Sequence, residues 1–447
     1  MNKWFSICSS LLIVSSIIAV SCTATVPVRE TPREETYTPH VVVALIDSGI
    51  NPYHEIYRRP HMTMHPSQII EGFPEETIAL NLTFTSKSYQ TNVHNDLQVW
   101  YYLKDKTLYW IPGTNILAIS FGGYYKNPYY VLDVGEGHGT GTSSVLVEEN
   151  PDAYILMIQA KMETFIEAAS WAMEQPWIDI ISISYGNKSS LTFSSPHYEH
   201  YPEISKECVA KGKIIVHSAG NSKRPPWFSN IAGPPWLITA GGAEPLAHGI
   251  NVHAAWGTDF VAEYTRIFAQ EESLDEYSAL GGTSLSAPAV AGIISKIVLN
   301  LRQKYNYTHG IINNSLLFIP EKGIDISNLD IRNALNHTAT YWQLNDWRPL
   351  RSHYLTYNYT FFDENISSFN EIMIRMILFL FAGVTVPVNP IAPWLQMGWG
   401  YVDASLINET IAILSGDQKP PEKQQGAVDY MNFIYQLRYE IWGEKTQ

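Results

Sequence analysis

From Val41 to Ile46 the chain is continuously apolar and rich in β-branched residues, and the run ends in Asp47-Ser48-Gly49. A run without polar alternation predicts, over His40–Ile46, a strand buried on both faces, as in a parallel sheet. Beyond Gly135 two periodicities alternate. Helical spacing predicts helices over Thr140–Val147, Glu163–Gln175 and Glu203–Lys211. Short apolar runs predict strands over Ala153–Ala160, Ile178–Ser184, Lys213–Ser218 and Trp236–Ala240. In Glu163–Gln175 the residues Phe165, Ile166, Ala168, Ala169, Ala172 and Met173 share one face. Strands alternating with helices imply βαβ units with right-handed crossovers. The expected fold is α/β, with three layers: a mostly parallel β-sheet covered by helices on both faces.

Two stretches break the alternation. Residues 56–130 are rich in Tyr, Pro, Asn and His. Within them Val99–Leu103 and Leu108–Ile111 read as strands joined by a turn at Lys104–Thr107, so a β-rich insertion is expected. After a long apolar helix that begins near Ser284 come a polar loop, a helix near Ile331–Asn336 and a second insertion at about residues 340–392. The latter contains the apolar Met373–Val388, which Arg375 and Pro387 interrupt. Its unbroken part is too short to span a bilayer, and buried core is the better reading. Gly398–Asp403 leads into a last apolar helix, and residues 416–447 form a polar linker and an amphipathic helix. One domain over residues 40–415 accommodates all but this last stretch, which follows it.

The composition, 447 residues with 45% hydrophobic and 16% charged, is enough for a large core. A formal net charge of -14 argues against a nucleic-acid partner. Lys3, the apolar Trp4–Val20 and the small residues up to Ala24 read as an export signal or N-terminal membrane anchor over residues 1–24. Ala19-Val20-Ser21-Cys22 also resembles a lipoprotein signal, which would lipidate Cys22. Residues 25–39 are a Pro-, Glu- and Thr-bearing linker. Export places the protein outside the cytoplasm, secreted or held by its N-terminus. Of three Cys, Cys208 alone lies in the folded part, so it is expected as a buried small hydrophobe without a disulfide. Asn-x-Ser/Thr sequons begin at Asn81, Asn187, Asn306, Asn313, Asn336, Asn358, Asn365 and Asn408.

Candidate chemistry gathers at the ends of expected strands and the starts of helices. Gly281-Gly282-Thr283-Ser284 precedes the long apolar helix, with Pro288 expected in that helix's first turn. Ser284 there stands beside the free N–H groups of a helix start. Asp47 follows the first strand, and His138 stands in the Gly-rich helix start Gly135-Glu136-Gly137-His138. Ligand sites in open α/β sheets form at that edge. A serine hydroxyl becomes a nucleophile when a neutral imidazole takes its proton and a buried carboxylate holds the imidazole. Ser218-Ala219-Gly220-Asn221 delivers an amide that can donate to an oxyanion beside the Ser284 N–H. Read alone, Ser284 is more readily a helix N-cap, and Asn221 is equally a left-handed turn residue. His54, His217 and His253 are expected to be structural.

Together these motifs resemble the subtilisin-like serine endopeptidases, the subtilase family. The resemblance rests on Val41–Gly49 (VVVALIDSG), Gly137–Thr140 (GHGT), Ser184-Tyr185-Gly186, Ser218–Asn221 (SAGN) and Gly282–Gly292 (GTSLSAPAVAG), and Gly398–Ala404 resembles the end of the family's catalytic domain. It implies Ser284 as nucleophile, His138 as general base, Asp47 as orienting carboxylate and Asn221 as oxyanion donor. It also implies that Ser184, Tyr185 and Gly186 offer backbone groups to an extended peptide, and that Ala219 and Gly220 line the pocket before the scissile bond. Polypeptides are the implied substrates, with no cofactor in the chemistry; structural calcium is admitted, its ligands unassigned. Rival readings are a catalytically silent peptide-binding protein and a peptide acyl transferase. Gly141 departs from a position where the family often has His, Ser286 replaces a common Ala, and residues 56–130 separate Asp47 from His138 widely. The family's usual N-terminal pro-domain has no counterpart in Thr25–His40, so folding without one is expected.

Overall fold

The computed structural model describes residues 38–122, 131–185, 198–221, 226, 229–245, 249–250, 254–255, 257–308, 318–341, 397–423 and 425–443. The expected export segment, Gly186, His253, Met373–Val388 and nearly all of the second insertion lie outside these residues.

The strands are β1 (Val42–Asp47), β2 (Ile78–Ala79), β3 (Tyr109–Trp110), β4 (Ile116–Ser120), β5 (Tyr154–Gln159), β6 (Ile180–Ile183), β7 (Ile214–Ser218), β8 (Ile238–Glu244), β9 (Gly249–Ile250), β10 (Phe260–Glu263), β11 (Thr265–Ala269) and β12 (Tyr277–Gly281). The helices are α1 (Tyr89–Asn95), α2 (Leu97–Tyr101), α3 (His138–Glu149), α4 (Phe165–Glu174), α5 (Tyr201–Ala210), α6 (Thr283–Tyr305), α7 (Asn328–Thr338), α8 (Ile407–Leu414) and α9 (Gln425–Trp442). The main sheet runs β10-β8-β7-β6-β1-β5-β4-β3-β2, with β9 on β8. Its pairs are parallel except β3–β4 and β8–β9, and β11 and β12 form a separate antiparallel hairpin.

β1 explains its own sequence. Successive strand residues face opposite ways, and Val43 and Leu45 enter one core cluster while Val42, Ala44 and Ile46 enter the other. The first cluster is closed by α3, α6, α7 and α9 through residues such as Leu146, Val290, Ile331 and Ile434. The second is closed by α4 and α5 through Phe165, Ala168, Met173, Cys208 and Val209. This is the three-layer, mostly parallel arrangement expected. Of the described helices, α6 alone is long and apolar enough to cross a membrane, and it is a core helix, 83% buried across its most apolar stretch.

The stretch 56–130 corrects two expectations. Val99–Leu103 is not a strand; Leu97–Tyr101 is helix α2. Asp96, Trp100 and Leu103 are buried while Tyr101 and Tyr102 are exposed, a helical spacing that the run of β-branched and aromatic residues disguises. Trp100 Nε1–H donates to the Tyr53 hydroxyl at 2.9 Å, and that hydroxyl donates to Asp96 at 2.7 Å. The stretch is also less β-rich than expected, since Tyr89–Asn95 is helix α1; its strands β2, β3 and β4 extend the main sheet, β4 pairing in parallel with β5 from Ile116 opposite Ile155 to Ser120 opposite Gln159. The expected strand at Leu108–Ile111 is β3, shortened to two residues. The terminal helix α9 is bound into the core. Met431, Ile434 and Leu437 are buried, and Arg438 donates to the carbonyls of Gly233 and Pro234 and to Asp259. Among the sequons, Asn81, Asn306 and Asn408 are exposed and Asn336 is buried.

A buried ionic cluster ties the far end of α6 to the sheet. Arg302 donates to Asp179 at 2.7 Å, Asp325 at 2.9 Å and the His40 carbonyl at 2.7 Å, and the Tyr307 hydroxyl donates to Asp325 at 2.7 Å. Arg302→Met would leave two buried carboxylates without their cation. A loss of about 3–5 kcal/mol is expected, read as a lower urea midpoint; an unchanged midpoint would show the cluster to be energetically idle.

Candidate active site

Asp47 closes β1 at the carboxyl edge of the sheet, 3% exposed. Its Oδ1 accepts the Ser48 N–H at 2.7 Å, and its Oδ2 accepts the Thr142 hydroxyl at 3.0 Å. His138 Nδ1 lies 2.7 Å from Oδ1. A carboxylate only accepts, so Nδ1 carries the proton and Nε2 is left as the free base. The negative charge of Asp47 is the main reason the imidazole is pushed up to about 9, with Asp133 and Glu136 adding to it and burial opposing it. Water reaches two-fifths of the side chain and screens part of that attraction.

His138 is the first residue of α3, which packs against the Asp47 turn with no room between backbones. A Cβ on Gly139 would sit 2.1 Å from the Gly49 carbonyl oxygen. Gly141 is also explained, since a Cβ there would meet the Phe268 ring of β11 at 3.0 Å. The hairpin occupies the space that a larger residue at 141 would fill.

Asp133 is a participant that sequence reasoning missed. It is 1% exposed and accepts from Ser48 Oγ (3.1 Å), Gly137 N–H (3.2 Å), Thr140 N–H (2.9 Å) and Thr140 Oγ1 (2.9 Å). Ser48 Oγ in turn accepts the Gly139 N–H at 2.9 Å. Asp133 therefore holds the first turn of α3, and His138 with it. Burial, with the Asp47 charge beside it, raises its own carboxyl above the usual range. The available signal was position: an acid five residues before His138, at the start of the Gly-rich turn.

Ser284 is the second residue of α6, and Gly282 is that helix's N-cap, so the N-cap reading of Ser284 does not hold. Pro288 lies in the second turn, not the first, because the helix begins at Thr283. Proline lacks the N–H that would bond the carbonyl four residues back, which is that of Ser284. The Ser184 hydroxyl donates to this carbonyl instead, at 2.8 Å. Asn221 Oδ1 accepts both the N–H and the hydroxyl of Thr283, at 2.9 and 3.1 Å, and Thr283 Oγ1 accepts the Gly220 N–H at 3.0 Å. With its oxygen engaged, Asn221 turns Nδ2 toward Gly282. The position of a Cβ on Gly282 is 3.7 Å from both Nδ2 and the Ser284 nitrogen. The two donors thus flank one small space.

α3 and α6 lie against each other closely; a Cβ on Gly292 would sit 2.9 Å from the Leu146 carbonyl oxygen. Among the described residues no hydrogen bond joins Ser284 Oγ to His138, whose bonded partner is Asp47. Tyr185 stacks on Phe165, with ring centroids 5.5 Å apart. Ala219 N–H donates to the Ala240 carbonyl and the Gly220 carbonyl accepts from Ala255 N–H, at 2.9 and 2.8 Å, which fixes the turn before Asn221. His54 and His217 are fully buried and bonded within the fold, and burial lowers His217 to about 4. Among the described residues, no group of three or more His, Cys, Asp or Glu side chains is placed to hold a metal ion.

A family model described as the subtilase family, Peptidase_S8, matches residues 38–355. No curated protein matches the chain. Solved structures similar to it include a lanthipeptide protease, 15% identical with a TM-score of 0.46 over 84% of this chain and 89% of the other. The protease domain of PatA is 12% identical, with a TM-score of 0.44 over 86% and 99%. A cold-adapted subtilisin-like serine proteinase is 14% identical, with a TM-score of 0.40 over 68% and 84%.

The carboxylates around His138 lead to a titration test. Its NMR midpoint should lie above the ordinary histidine value of about 6.5. Asp133→Asn removes one negative charge, so the midpoint should fall. The new amide also faces donors, which should cost about 1–3 kcal/mol of stability. An unmoved midpoint would mean that Asp133 acts on structure alone.

Proposed function

The chain belongs to the subtilase family, and from that premise we propose that it is an active serine endopeptidase that works through an acyl-enzyme. The observation that carries this reading is the junction at Ser284, where the Asn221 amide and the Ser284 N–H flank one space while His138, bonded to Asp47, heads the helix packed alongside. Ser284 Oγ attacks the peptide carbonyl as His138 Nε2 takes its proton, and Asp47 steadies the imidazolium. Negative charge then develops on the carbonyl oxygen. The Asn221 Nδ2–H and the Ser284 N–H, at the positive end of α6, meet it there. His138 returns the proton to the leaving amine, and water repeats the sequence on the acyl-enzyme. These groups are all supplied by the chain, so the chemistry needs no cofactor. Substrate backbone pairs with Ser184-Tyr185-Gly186 as an added strand, and the side chain before the scissile bond enters beside Ala219 and Gly220.

Ser284→Ala should abolish peptidase activity and labelling by a fluorophosphonate probe while the protein stays folded by circular dichroism. Asn221→Leu should keep labelling but lower kcat roughly 100- to 1000-fold with little change in KM, because its bond forms only in the transition state. Since only neutral imidazole accepts a proton, kcat/KM should rise as pH passes upward through the His138 midpoint. Labelling of Ser284→Ala at the parent rate would overturn the assignment.

Lys3, Trp4–Val20 and the small residues to Ala24 support export, with the mature enzyme secreted or attached to a membrane by its N-terminus. Fractionation followed by N-terminal sequencing should find the protein outside the cytoplasm and beginning beyond Ser21; a cytoplasmic chain starting at Met1 would contradict this.

A further inference from the structure

Arg438 of α9 lies beyond the domain expected over residues 40–415, yet it is 0% exposed. Its guanidinium sits in a cradle of oxygens. Nε donates to the Gly233 carbonyl at 2.8 Å and Nη2 to the Pro234 carbonyl at 2.7 Å. Nη1 donates to Asp259 Oδ2 at 3.1 Å, and Nη2 also reaches the Thr239 hydroxyl at 3.3 Å. The Tyr435 hydroxyl, from the same helix, donates to the other oxygen of Asp259. Asp259 is itself 0% exposed, and Arg438 is the cation bonded to it among the described residues.

Asp259 joins the two segments that grip the turn before Asn221. Its Oδ2 accepts the Thr239 N–H at 2.8 Å, and its own N–H donates to the Thr239 carbonyl at 3.0 Å. Thr239 precedes Ala240, whose carbonyl accepts the Ala219 N–H at 2.9 Å. Phe260, the residue after Asp259, lies opposite Ala240 where β10 pairs with β8. On the other side Ala255, in the segment leading to Asp259, donates to the Gly220 carbonyl at 2.8 Å. The turn Ser218–Asn221 is thus held by backbone that meets at Asp259, and Asp259 is held by α9. A carboxylate this deep is stable only with its partners. Loss of the guanidinium would force it to take a proton or move toward water, and both segments would shift with it.

We propose that Arg438 is a positioning residue for the reaction: through Asp259 it sets the turn that carries the Asn221 amide, and α9 is part of the peptidase unit. This rests on the oxyanion role proposed for Asn221. The contribution falls on the transition state, because a preorganised donor stabilises developing charge only from the right place, and a small displacement forfeits much of that. Asp47 and His138 take no part in this route.

The test is peptidase kinetics of the full chain, with active serine counted by fluorophosphonate titration. In Arg438→Ala, kcat per titrated serine should fall about tenfold to a hundredfold, with KM changing less. A residue that only stabilised the fold would lower the number of titratable sites and leave kcat per site alone. In an Asn221→Leu background the same change should cost at most about threefold, because the donor it positions is already gone. Guanidinium ion, far below denaturing concentrations, should restore part of kcat by refilling the cradle. If Arg438→Ala fails to fold, Tyr435→Phe, which removes a single donor to Asp259, takes its place in the same measurements with a severalfold loss. Hydrogen exchange read by mass spectrometry needs no activity: the Ala219 and Gly220 amides should exchange about tenfold or more faster in the variant while β1 stays as protected as in the parent. An inert parent with that faster exchange would refute the peptidase reading and leave the clamp standing. Full kcat per site, a loss that simply adds to that of Asn221→Leu, or unchanged exchange at Ala219 would overturn the proposal.

Discussion

A carboxylate sealed at the end of a strand covered on both faces has to be met by donors, and the start of α3 is arranged around meeting two of them. Asp47 takes the Ser48 N–H, the Thr142 hydroxyl and His138 Nδ1. Asp133 takes the Ser48 hydroxyl and three donors from Gly137 and Thr140. Ser48 serves both, through its N–H and its hydroxyl. Neither acid could be ionised at this depth without that set, because unpaired buried charge is far more costly than the bonds are individually worth. The requirement brings α3 onto the Asp47 turn at backbone contact, which is why Gly139 has no side chain against the Gly49 backbone; a Cβ on Gly49 itself would meet the Val131 carbonyl oxygen.

The position of Ser284 depends on a different element. α6 is apolar over most of its length because it runs through one core layer, and Ser284 sits where it emerges. Its start would be weakened by Pro288, which leaves the Ser284 carbonyl without its helical donor, but Ser184 at the end of β6 supplies one. Its far end is tied by Arg302 to Asp179, just before β6. The same strand region therefore holds α6 near both ends, while Asn221 accepts from Thr283 at its start.

Additions to this frame follow its edges. The stretch 56–130 continues the sheet beyond β5 instead of forming a separate body, and its aromatic residues fold back onto Tyr53. The hairpin of β11 and β12 packs Phe268 against Gly141, which accounts for a small residue in that turn of α3. At the other end of the chain, α9 supplies both Arg438 and the Tyr435 hydroxyl to the buried Asp259.

Sequence alone determined the layers and the ends of the strands. β1 could be read because an unbroken apolar run has one stable setting, burial on both faces, and α4 and α6 because their apolar residues recur at helical spacing. Asp47, His138, Asn221 and Ser284 could be singled out since each follows a strand or opens a helix beside glycine, a local feature, while the roles expected of them came from the family resemblance. What tertiary structure decided was whatever depends on partners distant in the chain. Val99–Leu103 was misread because local β preference and buried helical spacing conflict, and only packing of Trp100 on Tyr53 resolves it. Asp133 carried no mark beyond its position ahead of the Gly-rich turn, since its role comes from donors that α3 brings to it. Pro288 fell in the second turn because Asn221, sixty-two residues earlier, caps the helix start through Thr283. Period and turn chemistry are written in neighbouring residues; the satisfaction of buried polar groups is written only in the fold.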